Sequence, residues 1–205
     1  IAALKTRIRI AQGKIAEALD WVRTRDLSVD DDISYMHEFE HMTLARVLIA
    51  QEKRGLVDGS IHDAQGLLER LLQAAEEGGR KGSVIEILVL QALAHEVQGN
   101  FAPALVSLER ALTLAEPEGY VRIFVDEGLP MARLLSEAAA HGVMPYYVGK
   151  LLAVFEAEKQ KSEDKSYLPP VSPALPEGHR DGESLIEPLS QRELKILQLI
   201  AQGLS

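Results

Sequence analysis

The most chemically suggestive motif in this 205-residue chain is His37-Glu38-Phe39-Glu40-His41, which is a literal H-E-x-x-H. On a helix, this spacing places two imidazoles one turn apart on one face. Such a pair can hold zinc while the glutamate activates a zinc-bound water for hydrolysis. A zinc hydrolase also needs a third protein ligand, but Leu44 and Val47 stand where the metzincin pattern requires glycine and histidine. The motif leaves open a zinc hydrolase and adventitious metal binding by His37 and His41.

A third interpretation makes the motif the start of an amphipathic helix with no metal. Phe39, Met42, Ala45 and Leu48 follow one another at helical spacing and would face the core. The polar residues among them would then be solvated at the beginning of the helix. Choosing among the three interpretations requires knowing which helices position the motif.

Composition and charge exclude several classes of function. Apolar residues make up 46% of the chain and aromatic residues 5%, a balance that favours packed helices. The net charge of −9 argues against a nucleic-acid surface on the body, since phosphate contact needs clustered Lys and Arg. Cysteine is absent, which excludes thiol chemistry and fits a cytoplasmic protein. No apolar run is long enough for a membrane span and no G-x-x-x-x-G-K-[ST] loop occurs, so we expect no membrane contact and no bound cofactor.

An internal repeat predicts the architecture. Each of three stretches contains an apolar helix, a glycine turn and a second helix with Ala-Leu or Leu-Leu pairs. The turn markers Gly13, Gly59 and Gly99 are about 40 to 46 residues apart, a period typical of helical solenoids. A single helix pair cannot bury its apolar face, whereas stacked pairs bury a continuous one. The three stretches are 4–25, 36–77 and 84–115.

The third stretch resembles a tetratricopeptide unit. That motif places glycine, an aromatic residue, small residues and a closing proline at positions that are occupied here by Gly99, Phe101, Ala104, Leu108, Ala111 and Pro117. The sequence therefore predicts an all-α fold, a right-handed superhelix of stacked helix hairpins of the tetratricopeptide-like kind. A fourth helical section follows at 121–159, in which Arg122 and Asp126 are spaced for an ion pair that would fix the end of the stack.

A candidate binding surface follows from stacking the hairpins. The first helices of such a stack line its concave side. Projecting the repeat places Arg7, Arg46, Glu86 and Glu96 on that side. A rigid wall of polar side chains suits a small-molecule effector or a segment of a protein partner, although the same charges could simply solvate the surface.

The end of the chain resembles the start of a LuxR-type helix-turn-helix domain. Ser190 and Glu193 have the spacing of a capping box, and apolar residues at helical spacing follow them. The scaffold and recognition helices of that domain do not follow within the sequence, so we expect DNA binding only through a longer protein. The predicted domains are a helical repeat at 1–160, a proline-rich flexible linker at 161–188 and the truncated helix-turn-helix at 189–205. The residues that match the LuxR pattern are Leu189, Arg192, Glu193, Leu197, Ala201 and Gly203.

The body resembles the MalT-type superhelical domain of large LuxR-family, ATP-dependent bacterial regulators. The resemblance is carried by EFEHMTLARVLIAQ, VLQALAHEVQGN and LERALTLAEPEGYVRIFVDEG, which begin at positions 38, 89 and 108. It covers about 36–205 well and the first thirty residues loosely. It implies effector sensing or protein contact, control of self-association, and ATP binding by an upstream module rather than by this segment.

Three functional hypotheses result. The first is a non-catalytic sensor domain of such a transcriptional regulator, and the second is a general tetratricopeptide-type adaptor for a protein partner. The third is the zinc hydrolase that would use His37, Glu38 and His41.

Overall fold

A computed structural model describes residues 1–57 and 59–166, which belong to one compact unit. Within these residues the secondary structure is helical and no β-strand occurs, so the predicted all-α class is confirmed. The helices are α1 (Ala2–Ala11), α2 (Ile15–Arg25), α3 (Glu38–Lys53), α4 (Ser60–Glu77), α5 (Lys81–Val97), α6 (Phe101–Ala115), α7 (Arg122–Val125), α8 (Leu129–Ala140) and α9 (Pro145–Ser166). A short 3₁₀ turn, Tyr35–His37, precedes α3, and another, Glu116–Glu118, follows α6.

The three predicted hairpins are present as α1–α2, α3–α4 and α5–α6. Gly13 and Gly99 have positive φ angles of 78° and 74°, which a residue with a side chain rarely adopts. After each of these glycines, a backbone amide donates to a carbonyl five residues earlier: Lys14 to Arg9 at 2.8 Å and Asn100 to His95 at 2.9 Å. This bond satisfies a carbonyl at the helix end and reverses the chain.

Packing among the first helices forms a continuous row. α1 packs against α3, α3 packs against α5, and α5 packs against both α7 and α8. The second helices α4 and α6 cover the other side of α5. α5 is therefore the central helix of the unit, and most of its residues are buried.

The core consists of leucine and alanine from the second helices set against α5. Five leucines of these helices are almost completely buried: Leu67, Leu68 and Leu71 of α4, and Leu108 and Leu112 of α6. Burying one such side chain contributes about 1.5–3 kcal/mol relative to leaving it in water. The alternation of leucine with alanine on these helices allows the close approach that the sequence pattern predicts.

The last helix is longer than the sequence predicts. α9 ends at Ser166, so it continues through the first six residues of the segment predicted as a linker. Those residues contain neither proline nor glycine, and the first proline of that segment is Pro169, so nothing interrupts the helix.

Within the described residues, no helix is both long enough and apolar enough to cross a membrane.

The end of the stack is tied to α9 by one buried tyrosine and one exposed arginine. The Tyr147 hydroxyl donates to the Tyr120 carbonyl, and burial raises the pKa of Tyr147 to about 12. Arg122 forms the predicted ion pair with Asp126 and a second one with Glu158 of α9. The predicted Arg122–Asp126 pair is therefore confirmed, and it is part of a three-residue group that joins α7 to α9.

Candidate functional site

An open groove of about 840 Å³ runs along the row of first helices. α1, α3, α5 and α7 contribute its walls, together with residues just after α7. We call it the first-helix groove and define it by Leu4, Ile8, Arg7, Arg46, Glu86 and Glu127 among its lining residues. Because each hairpin contributes its first helix, an occupant of the groove would contact several repeats at once.

The structure brings the four predicted surface residues into this groove. Arg7, Arg46, Glu86 and Glu96 all line it. Glu86 pairs with both Arg7 and Arg46, whereas Glu96 pairs with Arg133 of α8 at 3.5 Å. Whether these residues bind an effector or partner stays a prediction.

The floor of the groove is an ionic cluster that spans three hairpins. Arg7 Nη1 lies 2.6 Å from Glu86 Oε1, and Arg46 Nη2 lies 3.0 Å from the same oxygen. Arg46 also pairs with Glu127 through two contacts, of 2.6 and 2.7 Å. This bidentate geometry favours strong charge-assisted hydrogen bonds. Glu127 is a member of the cluster that the sequence analysis missed, because it lies in the irregular segment after α7.

The two arginines of the cluster experience different electrostatics. Burial, reinforced by the neighbouring Arg46, lowers the pKa of Arg7 despite the opposing effect of Glu86. Burial also acts to lower the pKa of Arg46, but the carboxylates of Glu127 and Glu86 outweigh it and raise that pKa. Two carboxylates thus compensate the buried charge of Arg46, at the centre of the cluster. The negative charge around Arg7 does not fully compensate the effect of its burial.

Arg7 is positioned from three sides. Its guanidinium carbon lies 3.8 Å from the centre of the Phe39 ring, a cation–π geometry. Its Nε donates to the Thr43 hydroxyl at 3.1 Å, and that hydroxyl donates to the Phe39 carbonyl at 2.8 Å. Arg7 Nη2 and Arg46 Nε are buried and have no hydrogen-bond acceptor among the described residues.

The two histidines of the H-E-x-x-H motif contact different polar side chains. His37 Nδ1 lies 3.1 Å from the Ser34 hydroxyl, while His41 Nε2 lies 3.3 Å from the Asp31 carboxylate. The Ser28 amide donates to the same carboxylate at 2.9 Å and, as the main cause, holds the pKa of Asp31 below its usual value. Among the side chains that the structure describes, in residues 1–57 and 59–161, no three His, Asp or Glu are grouped to hold a metal ion.

The glutamate of the motif has a structural role. Glu38 is only 4% exposed and accepts from Arg80 Nη2 at 2.6 Å and from the Ser83 hydroxyl. These contacts join the start of α3 to the start of α5 and leave the carboxylate engaged. This geometry counts against the zinc-hydrolase hypothesis, whose general base must be free to reach a metal-bound water.

The prediction of a solvated start to α3 was wrong in part. Glu38 and His41 are buried because Arg80 and Asp31 provide them with partners. Phe39, which was expected in the core, is 41% exposed because it covers the Arg7 guanidinium instead. Met42 and Ala45 are buried as predicted.

The predicted helix cap of Ser190 and Glu193 lies outside the described residues, as do the rest of the linker from 167 and the segment 189–205. Those features stay predictions from the sequence.

Comparison with protein families gives one match. The family model of the MalT-like TPR region matches residues 1–141, which is more than half of the chain. The chain therefore belongs to the MalT-like TPR family. The match begins at the first residue, so it includes the α1–α2 hairpin that the sequence resemblance covered only loosely. No curated protein and no solved structure matches the chain.

Proposed function

We propose that this chain is the non-catalytic sensor domain of a bacterial LuxR-family, MalT-type transcriptional regulator, and that the first-helix groove binds its effector. The observation that carries the proposal is the groove itself, together with the family membership. Its volume of about 840 Å³ falls in the range of small-molecule sites, which combine apolar walls with a few fixed polar groups. Here the walls are apolar and the polar groups are the ionic cluster.

The contacts around the groove also support a sensing role. Arg46 pairs with Glu127, and the preceding residue, Asp126, pairs with Arg122. Arg122 lines the groove and also pairs with Glu158 of α9. An effector that favours one arrangement of these pairs would bias the position of α9 relative to the repeats, which is the differential contact that a signal requires.

The DNA-binding part of the proposal rests on the sequence of residues 189–205. We propose that residues 189–205 belong to a helix-turn-helix domain, through which the regulator binds DNA in the cytoplasm. ATP would bind a separate upstream module. Control of self-association by the effector would connect the two activities.

Effector binding can be tested by thermal unfolding of the 205-residue chain with a panel of sugars, oligosaccharides, nucleotides, amino acids, carboxylic acids and short peptides. A compound present at about 100 times its Kd should raise the Tm by roughly 5–10 °C. Ile8→Asp, which places a charge on the groove wall, should abolish this shift. Val106→Asp is the matched control, because Val106 is also an exposed apolar residue on a helix, at 69% exposure, but does not line the groove.

Two results would contradict the binding proposal. One is that no compound of the panel raises the Tm, and the other is that Ile8→Asp and Val106→Asp respond to the compound equally. Stabilisation by short peptides alone would replace the small-molecule effector with a protein partner, as expected for a general adaptor. The regulator proposal falls if the gene beyond position 205 encodes no further helices of a helix-turn-helix.

A further inference from the structure

Every carboxylate that lines the described part of the first-helix groove forms an ion pair. Each one pairs with an arginine, so none is left in the described part of the groove to attract a cation. The pairs are Glu86 with Arg7 and Arg46, Glu127 with Arg46, Glu96 with Arg133, and Asp126 with Arg122.

Two cations of the groove, in contrast, have no partner among the described residues. Lys53 ends α3 and Arg54 follows it, and both line the groove with exposed side chains. Neither forms an ion pair or a side-chain hydrogen bond with the described residues. Arg54 lies over the α1–α2 turn, since a Cβ added at Gly13 would meet its Nη2 at 2.7 Å. One end of the groove therefore carries positive charge that no described residue compensates.

The wall that leads to this end is apolar and exposed. Leu4 and Ile8 lie one turn apart on α1 and are 55% and 51% exposed, although both are large apolar side chains. Ala11 and Gly13 continue the same wall toward Arg54. At 1.5 Å per residue, the wall from Leu4 to Ala11 is about 10 Å long. Ile49 and Leu93 line the groove as well and add apolar surface.

We propose that the first-helix groove binds an amphipathic anion, whose carboxylate meets Lys53 and Arg54 and whose apolar chain or ring lies along Leu4 and Ile8. A guanidinium can bind a carboxylate through two parallel hydrogen bonds. The apolar body would cover side chains that are otherwise in water. This inference rests on the proposed function and specifies the chemical class of the effector.

The test is calorimetric titration of the 205-residue chain with three probes. Octanoate combines the anion with the apolar chain, octylammonium keeps the chain but reverses the charge, and acetate keeps the anion without the chain. Octanoate should bind, and the other two should bind at least about tenfold more weakly, because each lacks one half of the complementarity. Equal binding of octanoate and octylammonium, or no octanoate binding, would overturn the inference.

Variants then locate the binding. Lys53→Gln with Arg54→Gln should weaken octanoate binding about tenfold or more, and Leu4→Ser with Ile8→Ser should do the same through the loss of apolar contact. These four side chains are exposed, so the variants should fold. Arg23→Gln with Lys150→Gln is the matched control, since it removes two exposed cations that do not line the groove. An equal loss of affinity in the control, or unchanged affinity in the groove variants, would overturn the inference.

The outcome separates this inference from the proposed function. If octanoate does not bind but a neutral compound of the panel stabilises the chain in a way that Ile8→Asp abolishes, the groove is a sensor site for another chemical class. If neither octanoate nor any panel compound binds, both proposals fail.

Discussion

The two faces of α5 differ in chemistry although they belong to one helix. One face of α5 lines the groove and combines a charge with apolar side chains. Its residues follow one another at helical spacing: Glu86, Leu90, Leu93 and Val97. Leu88 is also apolar and buried, but it does not line the groove. One face thus serves the core, and the other holds a charge that Arg7 and Arg46 neutralise.

The difference teaches how one helix can serve both stability and recognition. Apolar burial stabilises the stack without demanding a partner of particular chemistry. A partly buried carboxylate is tolerated only if cations from neighbouring hairpins reach it, so the groove face fixes how the repeats sit side by side. Perturbing each face in turn should therefore have effects of different size and kind.

The largest effect should come from the core face. Leu88→Ala removes a side chain that is almost completely buried and should reduce the free energy of unfolding by about 3 kcal/mol. Urea denaturation measures this loss. Ile8→Ala on the half-exposed groove wall is the comparison and should cost less than about 1 kcal/mol. Similar losses for the two variants would contradict the division between core and groove.

A smaller but clear effect should come from the charge on the groove face. Glu86→Gln leaves Arg7 without its carboxylate and Arg46 with Glu127 alone, so the free energy of unfolding should fall by about 2 kcal/mol. The matched control is Glu109→Gln, which neutralises an exposed glutamate of α6. If Glu86→Gln were as stable as the control, the ionic cluster would not hold the hairpins together.

The turn that joins α5 to α6 should be less sensitive still. A Cβ added at Gly99 meets no atom within 4 Å, so Gly99→Ala adds only the strain of a positive φ. That strain costs about 1 kcal/mol. Thermal unfolding should show a correspondingly small drop in Tm, and a loss as large as that of Leu88→Ala would mean that the turn is packed.

The smallest effect should come from an ion pair on the outer surface. Arg110 of α6 pairs with Glu76 of α4, and both side chains are substantially exposed. Because water and salt screen such a pair, Arg110→Gln should change the free energy of unfolding by no more than about 0.5 kcal/mol. A loss that matched Glu86→Gln would show that burial does not distinguish the two ion pairs.

The sequence predicts the hairpins well because local signals define them. Glycines with positive φ end the helices, and apolar residues at helical spacing identify the buried faces. Regular stacking also makes the positions of Arg7, Arg46 and Glu86 predictable, since equivalent positions on successive first helices face the same side.

The sequence does not predict features that depend on how helices rotate against one another. Glu127 joins the cluster from an irregular segment, where no periodicity indicates its direction. Arg80 and Asp31 contact Glu38 and His41 of the H-E-x-x-H motif from 42 and 10 positions away, so the motif alone suggested solvent exposure. The exposed Leu4 and Ile8 look like ordinary core positions until α1 is packed against α3.

The most direct test of the account is hydrogen–deuterium exchange of the 205-residue chain with and without the panel compound that stabilises it most. The account predicts slower amide exchange in α1, in the second half of α3 and in residues 122–127, which line the groove. The outer helices α4 and α6 should show only the small, uniform change that accompanies higher stability. Protection concentrated in α4 or α6 would contradict the claim that the first-helix groove is the binding surface.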